Sequence, residues 1–198
     1  YLDEGVFIRS MATRGSMGGL PQSASSVIKV LDASGKDIIL IETVGVGQSE
    51  LDIMKNADTV LVALSPESGD TIQTMKAGLF EIADIFIVNK ADRPNATNLV
   101  VDLQAMLHLR SEPGLWDIPI VATEAVNNVG IEELYHQIER HRQVLDESGE
   151  FLKRRQQQRK EEFIKTSERK IIKRLLRSIE QDGQLSSYID RVIDKVEQ

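Results

Sequence analysis

Cysteine is absent from this 198-residue chain. That excludes a disulfide framework, a zinc ribbon and a cysteine nucleophile together. No apolar run approaches the roughly 20 residues needed to span a bilayer, so no membrane span is expected. A basic excess is lacking as well: 24 Lys and Arg face 31 Asp and Glu, a net charge of −7. This excludes a generally basic nucleic-acid coat. Internal repeats are missing, and the only biased tract is a short Arg/Gln run at 154–159. The opening residues, Tyr1-Leu2-Asp3-Glu4, read neither as a signal peptide nor as a normal translation start. The expectation is that a preceding segment belongs to this chain. What remains is an ordinary globular mixture, 41% hydrophobic and 28% charged, not a disordered one.

Charge and residue type change along the chain. The first 138 residues hold 9 Lys/Arg against 19 Asp/Glu, and the last 60 hold 15 against 12. The first part has short β-branched runs separated by Gly, Pro, Asn and Asp. The last part is rich in Gln, Arg, Lys and Glu with isolated Ile and Leu. A boundary is expected between 137 and 149, giving a domain at 1–145 and a helical extension at 146–198.

Five short apolar runs, 6–11, 37–43, 59–64, 85–89 and 118–122, are bounded by turn residues and read as strands. Three of them are nearly continuous, as expected of strands covered on both faces of a parallel sheet. Helical spacing predicts helices at 23–33, 71–83, 96–109 and 130–142. Strands alternating with helices indicate an α/β fold: a doubly wound, mostly parallel sheet with helices on both faces, followed by a helical C-terminal extension. In such sheets ligands sit outside the carboxyl ends of the strands.

The most specific signal lies at such an end. Asn89-Lys90-Ala91-Asp92 follows the apolar run at 85–88 and resembles the guanine-reading motif of GTPases. The Asp92 carboxylate can accept from the ring N–H and the exocyclic amine of guanine, an edge adenine lacks. Polar pairing of this kind discriminates by about 10⁴-fold or more. Asn89 can bond the base and tie neighbouring loops together. The Lys90 stem can lie along the base face with its ammonium in water. The bland alternative is a surface turn.

Glu42-Thr43-Val44-Gly45 follows the run at 37–41. Glu42, ending a buried strand, is placed to accept from a magnesium-bound water near phosphates. Gly45 lets a backbone N–H approach a γ-phosphate with no Cβ in the way. The alternative is a solvated Glu42 in a Gly-rich turn, and the tetrad at 89–92 at the expected separation favours function. Glu124-Ala125, after the run at 118–122, stands where GTPases carry a Ser-Ala-type loop supporting the guanine.

Three stretches are close to a signature: Glu42 to Glu50, Arg14-Gly15-Ser16-Met17-Gly18-Gly19-Leu20, and Gln73-x-x-Lys76-x-Gly78-x-x-Glu81-x-Ala83-Asp84. Together they resemble the MeaB/ArgK family of methylmalonyl-CoA-mutase-associated GTPases, over roughly residues 6–142. The resemblance implies a cytoplasmic GTPase chaperone for an adenosylcobalamin-dependent acyl-CoA mutase, aiding cofactor loading and protecting the mutase. It implies GTP/GDP and Mg2+ as ligands, and no nucleic acid or membrane. Carried over residue by residue, Glu42 matches the magnesium-side and catalytic Glu, and Asn89, Lys90 and Asp92 match the guanine readers. Residues 66–76 match a segment that couples nucleotide state to the mutase. Lys76 looks like the lysine this segment brings toward the phosphates, where it would neutralise developing charge. Its plain alternative is a solvated helix residue.

No Gly-x-x-x-x-Gly-Lys-Ser/Thr phosphate loop is present. In the family that loop and the aspartates meeting magnesium directly precede the region equivalent to Tyr1. The chain is therefore expected to be inactive by itself, for want of the loop's N–H groups and lysine. Two other readings stand beside the leading one: a metal-insertion GTPase of the same class, and a non-hydrolysing interaction module. The lack of Cys and of a His-rich tract argues against the former.

The apolar positions of 149–181 suit an amphipathic helix, with a second short helix at 185–196. As the resemblance suggests, these are expected to be a homodimerisation arm, against the alternative of packing back on their own domain. The Arg154–Arg159 cluster adjoins Glu161 and Glu162 and reads as a solvated face. His108, His136 and His141 read as surface histidines, and Trp116 as a loop anchor.

Overall fold

The computed structural model describes residues 3, 5–11, 24–43, 56–67, 77–109 and 114–181. Within these, contacts divide the chain into two compact units, residues 1–152 and 153–198.

The first unit is built on three parallel strands in the order β1 (Leu61–Leu64), β2 (Ile85–Asn89), β3 (Ile120–Thr123). Leu61 stands opposite Ile85 and Leu64 opposite Val88. Phe86 stands opposite Ile120 and Asn89 opposite Thr123. The central strand explains the continuous apolar run: Ile85, Phe86, Ile87 and Val88 are all buried. Successive side chains point to opposite faces, so both faces of β2 are covered.

One helix precedes the strands, two connect them and one follows. α1 is Ala24–Ala33, α2 Ala77–Ile82, α3 Ala96–His108 and α4 Ile131–Ser148. Ile82 of α2 and Leu99 and Leu103 of α3 join Val60, Val62, Phe86 and Val88 in one apolar cluster. The rings of Phe80 and Phe86 meet at 5.1 Å. Spacing of four residues from Leu99 to Leu103 gives α3 its buried stripe. α4 extends beyond the expected Arg142, because Val144 and Leu145 continue its apolar face and Leu145 is fully buried. Gly149, at φ 73°, ends it as left-handed glycines commonly do.

Two expected strands are not strands. Residues 6–11 and 37–43 pair with no other strand among the described residues. Val6, Phe7 and Ile8 are 59–63% exposed, and Leu40 is 86% exposed. Apolar character gives a run the capacity to be buried, but a strand needs a neighbouring edge whose N–H and C=O groups are unpaired and within reach. Just outside the two runs, the Lys36 ammonium donates to Gly5 O at 2.8 Å.

A polar lock sits at the amino ends of β1 and β2. His141 of α4, expected at the surface, is fully buried. A hydrogen bond of 3.0 Å joins its Nδ1 to Thr59 Oγ1. Its Nε2 stands 3.3 Å from Asp84 Oδ1 without hydrogen-bond alignment. Asp84 also accepts from Val60 N at 2.8 Å, and its carbonyl accepts from the Trp116 indole at 2.7 Å. The Trp116 ring lies 5.1 Å from the His141 ring, so the anchor role expected of Trp116 is met through the lock. One helix face misled the sequence reading because what covers α4 there comes from three distant segments.

The second unit carries the rest of α5, Glu150–Gln181, a 32-residue helix. Its polar majority leaves Phe163, Ile171, Ile172, Leu175 and Leu176 more than half exposed. The expected helix at 185–196 lies outside the described residues.

His141→Ala is expected to destabilise the first unit by about 3 kcal/mol, through the cavity and the stranded Thr59 and Asp84 partners. Urea unfolding of the chain measures it. A loss under 1 kcal/mol is the result that removes the lock.

Candidate functional site

Parallel strands place all their carboxyl ends on one edge of the sheet. Three loops meet there: 65–67 after β1, 90–95 after β2 and 124–130 after β3. Asn89 joins two of them. Its Oδ1 accepts from Thr123 Oγ1 at 3.2 Å and from Ala125 N at 3.2 Å. Ala91 N donates to Thr123 O at 3.0 Å, adding a backbone link between the same loops. The Ala125 N–H is thereby engaged by Asn89.

Lys90 takes φ 58°, a left-handed conformation costing a non-glycine residue about 1 kcal/mol. Arg93 N closes the turn by donating to Lys90 O at 3.0 Å. The turn lifts Lys90, Asp92 and Arg93 into solvent, each roughly half exposed at its side chain.

The loop after β3 is closed by two backbone bonds, Glu124 N to Val129 O and Val129 N to Glu124 O, at 3.0 and 3.2 Å. Glu124 Oε2 accepts from Asn127 Nδ2 at 3.0 Å. Gly130 then opens α4 at φ 75°, with Ala122 O only 2.2 Å from where a Cβ would stand. Only glycine fits this turn, which holds the loop beside Asn89.

Glu67, which no motif in the sequence singles out, completes the group. Its carboxylate accepts from the Lys90 ammonium in an ion pair and stands 3.6 Å from Arg93 Nε. Arg93 Nε is also 3.5 Å from Asp92 Oδ2. The Lys90 ammonium holds the Glu67 carboxyl below its ordinary 4.5, with Arg93 adding to the effect. Glu67 and Lys90 are 23 residues apart, so no local spacing marks the pair. The β1–β2 register is the signal that could have found it.

Of the expected site residues, Asn89, Lys90, Asp92, Glu124 and Ala125 come together here. Glu42 is exposed and outside helix and strand. Gly45 and Lys76 lie outside the described residues. Among the described residues no group of three or more His, Asp and Glu is arranged to hold a metal ion, so the magnesium assignment rests on Glu42 alone.

Residues 1–180 match the family model described as methylmalonyl Co-A mutase-associated GTPase MeaB. The chain belongs to the MeaB family. It is 48% identical over 196 residues to a Pyrococcus abyssi protein named provisionally as a GTPase, covering 98% of this chain and 60% of that one. It is 34% identical to Escherichia coli GTPase ArgK, covering 87% of this chain and 53% of ArgK. Mouse mitochondrial methylmalonic aciduria type A homolog is 32% identical, covering 80% and 39%. The chain thus spans about 60% or less of the length of these relatives. A crystal structure of a LAO/AO transport system kinase superposes with a TM-score of 0.66 at 27% identity, covering 85% of this chain and 62% of that one. The sheet of this chain is therefore the parallel sheet of a GTPase fold, with the 89–92 turn at its carboxyl edge.

Because the Glu67 carboxyl is depressed, its pairing with Lys90 is present above the ordinary value and is lost as pH falls through the lowered one. NMR titration of the Glu67 side chain is expected to give a midpoint below 4.5 that returns upward in Lys90→Ala. A midpoint unmoved by that substitution would show that Lys90 is not the cause.

Proposed function

We propose that this chain supplies the guanine-reading part of a GTP-binding, GTP-hydrolysing chaperone serving an adenosylcobalamin-dependent acyl-CoA mutase. The observation that carries it is the Asn89 bridge: a tetrad of the guanine-reading type, at a strand's carboxyl end, bonded to the loop that GTPases place against the base. Family membership supports the association with methylmalonyl-CoA mutase, and mutase loading and protection are the finer part of the proposal.

Asp92 accepts from the ring N–H and exocyclic amine of guanine. Asn89 keeps its loops in register. Lys90 covers one face of the base with its stem. A GTP-bound magnesium ion would neutralise phosphate charge. In this proposal Glu42 faces that end and Gly45 offers its N–H there. Lys76 brings a positive charge to the same end. Residues 1–145 form the nucleotide-binding part and 146–198 the helical part, acting in the cytoplasm.

Asp92→Asn replaces an acceptor with a donor opposite the guanine N–H groups. Leaving such groups unpaired is expected to weaken guanosine binding by about tenfold or more, with adenosine little changed. NMR titration of the two nucleosides into the chain measures it. Equal affinity of the original chain for both would sink the base-reading assignment, and a mutase whose inactivation rate ignores the full protein would sink the chaperone role.

The exposed apolar residues of α5 support a homodimer through the C-terminal helices. Sedimentation is expected to give a species of twice the chain mass at micromolar concentration. Deletion of 153–198 is expected to leave a monomer. A monomer before deletion removes the dimer.

A further inference from the structure

Four charges alternate along the site's rim. The Lys90 ammonium pairs with Glu67, Glu67 faces Arg93 Nε at 3.6 Å, and Arg93 Nε faces Asp92 Oδ2 at 3.5 Å. Three of them come from the turn itself. Only Glu67 comes from another loop, three residues beyond the end of β1. Its place is set by the parallel register, which puts Leu64 beside Val88 and so brings the two loops together.

The arrangement poses a competition. Asp92 is the acceptor on which base reading depends, and two cations stand on the same four-residue stretch. With Glu67 present, Lys90 is drawn to a carboxylate outside the turn, and Arg93 divides between Glu67 and Asp92. Without Glu67, Asp92 is the remaining carboxylate of the array. Both cations then close on the oxygens that a purine's N–H groups must reach.

We infer that Glu67 is a positioning residue for base selection, holding Lys90 outside the turn and sharing Arg93 with Asp92, so that the Asp92 carboxylate stays available to the guanine edge. This rests on the guanine-reading assignment and deepens it. Glu67 touches no base and acts only through the two cations. Because the charges are half exposed, the effect is small and salt-sensitive.

The test uses neutral nucleosides, so that a change in site charge does not act through phosphates. Guanosine and inosine differ by the exocyclic amine that Asp92 accepts from, and their affinity ratio reports that acceptor alone. NMR titrations compare guanosine, inosine and adenosine with the original chain, Glu67→Gln and Glu67→Asp. Glu67→Gln is expected to lower the guanosine-to-inosine ratio about threefold, in keeping with an exposed ion pair. Glu67→Asp is expected to restore part of it, and 1 M salt is expected to erase the difference. Thermal unfolding is expected to be the same for all three chains, which separates positioning from folding. If the original chain prefers guanosine to adenosine but the guanosine-to-inosine ratio is equal in Glu67→Gln, the inference is overturned and base reading stands. If the original chain shows no preference for guanosine over adenosine, base reading falls and the inference falls with it.

Discussion

The parallel register of β1, β2 and β3 is the constraint on which the rest depends. Parallel pairing sends every strand in one direction, so their carboxyl ends share an edge while their amino ends share another. Asn89 stands beside Thr123 because Phe86 stands beside Ile120. A one-residue slip would turn Asn89 from its partners and force the side chains of 85–88 to repack on the opposite faces of the sheet. Burial of Phe86 and Val88 against Leu99 and Leu103 therefore does more than stabilise a core. It sets the register that assembles three loops into one site.

The two ends of this sheet are built to opposite specifications. At the amino ends, Asp84, Thr59 and Trp116, all partly buried, gather around the fully buried His141 and tie α4 and the loop before β3 to the sheet. Buried polar groups are costly when stranded and rigidifying when satisfied. At the carboxyl ends the charged groups are half exposed, and their pairings are exchangeable. Local stability is expected to follow the same division, with opening concentrated where apolar contacts are few. The proposed nucleotide site lies at the looser end.

How much of this was legible depended on how far apart the causes lay in sequence. The three paired strands, α1, α3 and the long α5 were readable, since continuous apolar runs and spacings of three and four are local properties. The tetrad at 89–92 was readable for the same reason, four adjacent residues after a strand. His141 was misread because one helix face shows nothing of Thr59, Asp84 and Trp116, which come from 25 to 82 residues away. The runs at 6–11 and 37–43 are apolar without being strands, because apolarity is local and pairing is a property of two segments. Glu67 has no role of its own in the sequence, beyond its place in the 66–76 segment, because its pairing with Lys90 arises only when β1 lies beside β2.

That last case shows what adjacency adds to a motif. A tetrad names which groups face a base, but not whether they are available. Asp92 has a cation one residue away and another two residues away, a poor local setting for the proposed role of accepting from an uncharged ring. Loops at a strand's carboxyl end are free to vary while the register beneath them is held. An acidic residue on the neighbouring loop is therefore the least costly remedy, since it asks nothing of the core and changes no residue in the tetrad. The alternating order Lys90, Glu67, Arg93, Asp92 is what such a remedy would look like: no cation lacks a carboxylate, and Asp92 shares its one close cation with Glu67.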